Sequence, residues 1–151
     1  MNNAWPVHFG VPAPPPAPPA DSAFEVVVVF TDVSETLVAL GSAARLAHGL
    51  GARIRLVAPQ IVPFPAPLEQ PPVDPRFAER KFRVIAEQSQ VDMMVDIRLC
   101  RDWEAGVLHS VKPGSIVVLG AAKSWWRSRK QRRLARTLRH RGHQVILSES
   151  E

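Results

Sequence analysis

From Phe24 onward, runs of apolar residues alternate between two spacings. Glu25-Val26-Val27-Val28-Val29-Phe30 is a β-branched run of strand length with no polar break, the pattern of a strand buried on both faces. Thr31-Asp32-Val33-Ser34-Glu35-Thr36 follows, rich in helix-capping side chains. A stripe of Leu37, Leu40, Gly41, Ala44 and Ala47 then predicts a helix to about His48, closed by Gly49 or Gly51. Arg53 to Ala58 alternates, Ile54 and Leu56 against Arg55 and Val57, and predicts a second strand. Pro59 to Pro72 predicts a long surface loop. Asp74-Pro75 supplies a cap and a first-turn proline for a helix to about Gln90, with Phe77, Ala78, Phe82, Val84 and Ile85 apolar.

Val91, Met93, Val95, Ile97 and Leu99 predict a third strand, with Asp92 and Asp96 together on a solvent-facing side. Asp102 can cap a short helix carrying Trp103, Val107, Leu108 and Val111, ended by Pro113-Gly114. Ser115-Ile116-Val117-Val118-Leu119 is a second continuously apolar strand. Ser128-Arg129-Lys130-Gln131 has the spacing of a capping box and opens a fourth helix that ends at Gly142. Gln144-Val145-Ile146-Leu147 is a last strand. Strand and helix alternate throughout, which predicts an α/β fold: a parallel five-stranded sheet between two helical layers, a three-layer αβα sandwich. The two wholly apolar runs should be its central strands.

Prolines mark what lies outside that pattern. Seven of the chain's 15 fall in the first twenty residues and seven more between Pro59 and Pro75. Val11 to Ala20 lacks amide donors at most positions and favours extended polyproline II. Residues 1–22 are therefore expected to be a disordered Pro-rich tail, a stiff spacer or a ligand for a proline-reading domain, and residues 23–151 the folded domain. The start of the chain has neither a charged n-region nor an apolar h-region, and no apolar run reaches the ~18–20 residues of a membrane span. A single cysteine, Cys100, excludes an intrachain disulfide and suits a reducing cytoplasm.

Charge changes the picture more. Nine of the 19 Lys and Arg lie between Lys123 and His143, a stretch without an acid. The other ten face 14 Asp and Glu, so the formal +5 belongs to one segment set against an acidic remainder. Either the outer face of the fourth helix is simply solvated, or it attracts an anionic partner. Nucleic acid, an acidic protein and an anionic membrane surface all fit, with Trp125, Trp126, Arg127, Arg129, Lys130 and Arg133 as the candidate contacts.

The strand and helix order, with Thr31-Asp32-Val33-Ser34-Glu35 after the first strand and Ser115-Ile116-Val117-Val118-Leu119-Gly120 as the fourth, resembles the universal stress protein family over roughly residues 24–148. Asp-x-Ser after the first strand is similar to the family's Asp-Gly-Ser or Asp-Phe-Ser. The resemblance implies a Rossmann-like sheet of the adenine nucleotide alpha hydrolase kind, with strand order 3-2-1-4-5. It implies a role in stress response, and an adenine-nucleotide site drawing on Thr31, Asp32, Val57, Gly120, Ala121 and Lys123. It also implies homodimers through the last strand, Gln144 to Ser148. General α/β architecture agrees on the place: ligands settle beyond the carboxyl ends of strands where the order reverses. Asp32 there has two available roles, acceptor for an adenine or ribose group and cap of the first helix.

The departure from the family is steric. Nucleotide-binding members carry Gly-x-x-Gly, nine residues, then Gly-Ser or Gly-Thr after the fourth strand. Here Lys123, Arg133 and Leu134 stand at the matching positions after Gly120, where close approach of phosphate needs bare backbone amides. Gly120-Ala121-Ala122-Lys123-Ser124 resembles a P-loop end but lacks its first glycine and its spacing. No cofactor is expected; ATP or AMP would need a rearranged loop in which Lys123, Arg127 and Arg129 replace the glycine amides. The five histidines show no zinc-like spacing, no Gly-x-Ser-x-Gly occurs, and Cys100 reads as a small buried side chain at a strand end rather than a nucleophile. The sequence thus points to a non-enzymatic regulatory or binding protein with a degenerate nucleotide crevice.

Overall fold

The computed structural model describes residues 7–10, 24–68, 75–124, 126 and 128–149. Its elements are β1 (Val7–Gly10), β2 (Glu25–Val29), α1 (Val33–Leu50), β3 (Arg53–Ile61), α2 (Pro75–Ser89), β4 (Met94–Cys100), α3 (Trp103–Ser110), β5 (Ile116–Ala121), α4 (Arg129–His140) and β6 (Gln144–Glu149). They form one sheet in the order β1-β4-β3-β2-β5-β6. The five strands β2 to β6 are mutually parallel and, counted from β2, run 3-2-1-4-5 as expected.

The sixth strand is a correction to the reading of residues 1–22 as a tail. Val7–Gly10 pairs antiparallel with β4, His8 opposite Asp96, and so covers that edge of the sheet. The polyproline stretch Val11 to Ala20 and the expected cap at Asp74 lie outside the described residues.

The four consecutive valines of β2 explain the two-layer core. All four are fully buried: Val26 and Val28 face Ala39, Leu40 and Ala43 of α1, with Phe82 and Ile85 of α2 in the same cluster. Val27 and Val29 pack with Trp103 and Val107 of α3 and Leu134 and Leu138 of α4. Each such side chain removed from water contributes about 1.5–3 kcal/mol, so a central strand has no position to give to a polar residue. In α1 the buried stripe runs through Ala39, Leu40, Ala43 and Ala47 rather than Leu37, Gly41 and Ala44, which are only half-buried. Phe77 and Val84 of α2 are exposed, and Phe82, Ile85 and Ala86 take the core face. β3 runs on through Pro59 to Ile61, because past Val57 it has β4 alone as a neighbour, and proline is tolerated at such an edge.

Two further expectations fail because the side chains find hydrogen-bond partners outside their own element. Asp96 does not face solvent. It is buried, accepting from Arg55 Nη1 at 2.7 Å and Arg98 Nη2 at 2.9 Å. Arg55 also pairs with Glu25 and donates to the Ser110 carbonyl at the end of α3 at 2.6 Å. Ser128 and Gln131 do not form a capping box. The Ser128 hydroxyl donates to the Ala122 carbonyl at 2.6 Å and makes no cap bond, while Gln131 turns to Glu35.

Candidate functional site

After β2 the chain passes to the helical layer of α1, and after β5 to the opposite layer, that of α4. The carboxyl ends of these neighbouring strands therefore open into a crevice at the point where the order reverses. The crevice has a volume of about 300 Å³ and is lined by Thr31, Asp32, Glu35, Trp103, Lys130 and Gln131.

Its acidic lip is committed to the helix. Asp32 is the extended N-cap of α1; its Oδ1 accepts from Glu35 N at 2.8 Å and from the Ser34 hydroxyl at 3.1 Å. Glu35 is buried in the first turn, and its Oε2 accepts from Gln131 Nε2 at 3.0 Å across the crevice. With that donor engaged, Gln131 presents its carbonyl oxygen, which is buried without a partner, as is the Thr31 hydroxyl oxygen. The crevice thus sets the Glu35 carboxylate and the Gln131 carbonyl against any phosphate, and its side-chain donors to one are the Thr31 hydroxyl and Lys130.

Gly120 explains how α1 comes so near. A Cβ there would stand 2.1 Å from the Glu35 carbonyl oxygen and 2.5 Å from its carbon. The glycine is spent on the approach of the first turn of α1 to β5. Of the residues expected at a nucleotide site, Thr31 and Asp32 line the crevice, Gly120 lies against the Glu35 backbone, Val57 and Ala121 are fully buried, and Lys123 is exposed on the turn after β5. Glu35 and Gln131 escaped sequence reasoning: each sits in a capping pattern that accounts for it locally.

A second, larger cleft of about 530 Å³ shares Trp103 and Lys130 with the first. Lys130 Nζ lies 4.1 Å over the Trp103 ring. Trp126, Arg129, Lys130 and Arg133, four of the expected anion contacts, come together here with Arg101; Trp125 and Arg127 lie outside the described residues. The two carboxylates in the wall are engaged internally. Asp102 caps α3 by accepting from Ala105 N at 2.8 Å, and Glu104 accepts from the Thr137 hydroxyl at 3.0 Å and pairs with Arg133 at 3.6 Å. Arg101 donates to the Val62 carbonyl at 2.9 Å and lies 4.1 Å over the Phe64 ring. On α4, Arg132 meets Glu149 at 3.3 Å, whereas Arg129 and Arg136 have no acidic partner among the described residues.

Cys100 is free and buried at the end of β4, its Sγ 3.7 Å from the Gln60 carbonyl. Burial pushes its thiol above the ordinary value of 9.0, the Asp102 carboxylate adds to this, and Lys130 opposes it. Among the described residues no group of three or more His, Cys, Asp and Glu could hold a metal ion, and no helix is long and apolar enough to cross a membrane.

No protein-family model matches the chain, and no curated protein does. Solved structures do. A protein from the universal stress protein family of Burkholderia pseudomallei is 19% identical, with a TM-score of 0.52 over 85% of this chain and 98% of its own. A universal stress protein in complex with cAMP is 18% identical, with a TM-score of 0.53 over 86% of this chain and 100% of its own. At that identity the likeness speaks for architecture: the chain has the universal stress protein fold.

Proposed function

We propose that the protein is a regulatory binding protein of the universal stress protein type, without enzymatic activity, that works in the cytoplasm. Its crevice does not seat a nucleotide polyphosphate, and its basic α4 surface receives an anionic partner. The observation that carries this is the buried Glu35 carboxylate bridged to Gln131 across the crevice. A phosphate charge about 4 Å from that carboxylate would be repelled by about 4 kcal/mol at the effective dielectric usual for proteins. A helix N-terminus returns only about 0.3–2 kcal/mol to an anion, so repulsion wins. Lys123, Arg133 and the core residue Leu134 supply no glycine amides in compensation. The volume, about 300 Å³, is at the small end for ligand pockets.

The similarity to a structure holding cAMP favours a second reading, a nucleotide with a single phosphate. Such a ligand carries no polyphosphate tail to lay along the turn, and Lys123, Arg127 and Arg129 could supply its countercharge. Thermal shift of the full chain separates the two. The first reading expects no shift with ATP, AMP or cAMP. A shift with AMP or cAMP alone, lost in Asp32→Ala relative to that variant without ligand, supports the second. A saturable shift with ATP overturns both.

The proposal includes a homodimer through β6. β1 covers one edge of the sheet, whereas β6 pairs only with β5 among the described residues and leaves Ile146 39% exposed. Open edges invite pairing.

A further inference from the structure

The larger cleft joins to its cations two things that an anion-attracting surface alone does not require: concavity and exposed aromatic side chains. Trp126 is 74% exposed on its wall, and Phe64, 81% exposed, lies against the guanidinium of Arg101, which lines the cleft. Arg129 and Lys130, in the first turn of α4, line the same cleft. We propose that this cleft binds single-stranded nucleic acid, with an unstacked base held against Trp126 and the Arg101–Phe64 stack, and the flanking phosphates on Arg129, Lys130 and Arg133. The inference rests on α4 being an anion-receiving surface, and names its partner.

Each alternative leaves part of the site without a use. A duplex presents phosphates and groove edges but keeps its base faces stacked, so it offers no face to a tryptophan. An acidic protein segment would use the cations and ignore the aromatic faces. An anionic membrane favours protruding apolar side chains, yet here they frame a hollow whose wall also holds the carboxylates of Asp102 and Glu104. A splayed base uses all three features, because every base has a face that stacks on an aromatic ring or guanidinium plane.

The test is fluorescence anisotropy of a labelled single-stranded RNA 12-mer of mixed sequence with the full chain. The same-length duplex, poly-glutamate and phosphatidylserine vesicles serve as competitors. Three or four phosphate contacts predict a loss of about 20- to 50-fold in affinity between 50 and 200 mM salt. Trp126→Ala should weaken binding by about 5- to 100-fold with the salt slope unchanged, and Trp126→Phe should restore most of it. Arg129→Ala should instead flatten the slope by about 0.7. Both positions are exposed, and unchanged melting confirms that the variants fold. Equal affinity of Trp126→Ala and wild type overturns the proposal, as does preference for duplex, poly-glutamate or vesicles over the single strand. Heparin retention tells which level has failed. If Arg129→Glu with Arg136→Glu leaves retention unaltered, the basic-surface reading falls as well; if retention drops but RNA binding does not depend on Trp126, only the single-strand inference falls.

Discussion

Replacing Gly120 by alanine tests the join between fold and crevice. The added carbon would lie 2.1 Å from the Glu35 carbonyl oxygen, and ordinary contact begins at 3.4 Å. The first turn of α1 must therefore withdraw by roughly 1.3 Å, since the obstacle is backbone and cannot swing aside. Overpacking of this kind costs about 1–3 kcal/mol. The same withdrawal loosens the Asp32 cap, about 1 kcal/mol, and the Glu35–Gln131 hydrogen bond, about 1.5–3 kcal/mol for a charged acceptor. These losses overlap, so the expected total is about 3–5 kcal/mol, a large part of a typical domain's stability. At about 2–4 °C per kcal/mol for a chain of this size, melting should fall by about 6–20 °C. Urea unfolding followed by circular dichroism gives the free energy directly. Gly41→Ala is the control: nothing stands within 4 Å of its would-be Cβ, so in the interior of α1 it should stabilise by about 0.5–1 kcal/mol. Gly120→Ala within about 0.5 kcal/mol of wild type would refute the packing argument.

Other predictions follow from the same contacts. Asp96→Ala removes the carboxylate shared by Arg55 and Arg98 while Glu25 and the Ser110 carbonyl still hold Arg55, and should cost about 1.5–3 kcal/mol in urea unfolding; a surface-like loss under about 0.5 kcal/mol would contradict the buried network. The raised Cys100 thiol binds its proton more tightly in the folded than in the unfolded chain. Its contribution to stability is therefore intact below the ordinary value of 9.0 and is lost as pH rises above it. Wild type should lose stability above that pH relative to Cys100→Ala, and native protein at pH 8 should alkylate much more slowly than urea-unfolded protein; equal rates would contradict this. Sedimentation should give twice the 16.7 kDa chain mass, reduced to monomer by Ile146→Lys, and a monomeric wild type would defeat the β6 dimer.

What could be read from the sequence was whatever is decided locally. The β2 valines declare a strand buried on both faces, and Asp32 and Asp102 each cap their helices at 2.8 Å as their positions suggest. Of the aromatic and basic residues singled out near residue 126, Trp126, Arg129, Lys130 and Arg133 line one cleft. What misled was decided at long range. Asp96 alternates like a solvent-facing residue, but its partner Arg55 stands 41 positions away on the neighbouring strand. Gln131 fits a capping box, yet a carboxylate 96 positions earlier competes for its amide and wins. Gly120 was visible as a glycine near the switch point, while its cause, the Glu35 backbone, belongs to a helix joined to it only in space. Val7–Gly10 offers four residues beside a proline tract, too short a run to announce a strand without the edge of β4 that receives it.

The most direct measurement is a crystal structure grown in millimolar ATP. Glu35 and Gln131 should remain hydrogen-bonded as they are here, with no triphosphate density along the turn from Gly120 to Ser124. A nucleotide seated with its phosphates on that turn, and the Glu35 side chain swung out to admit it, would contradict the closed crevice.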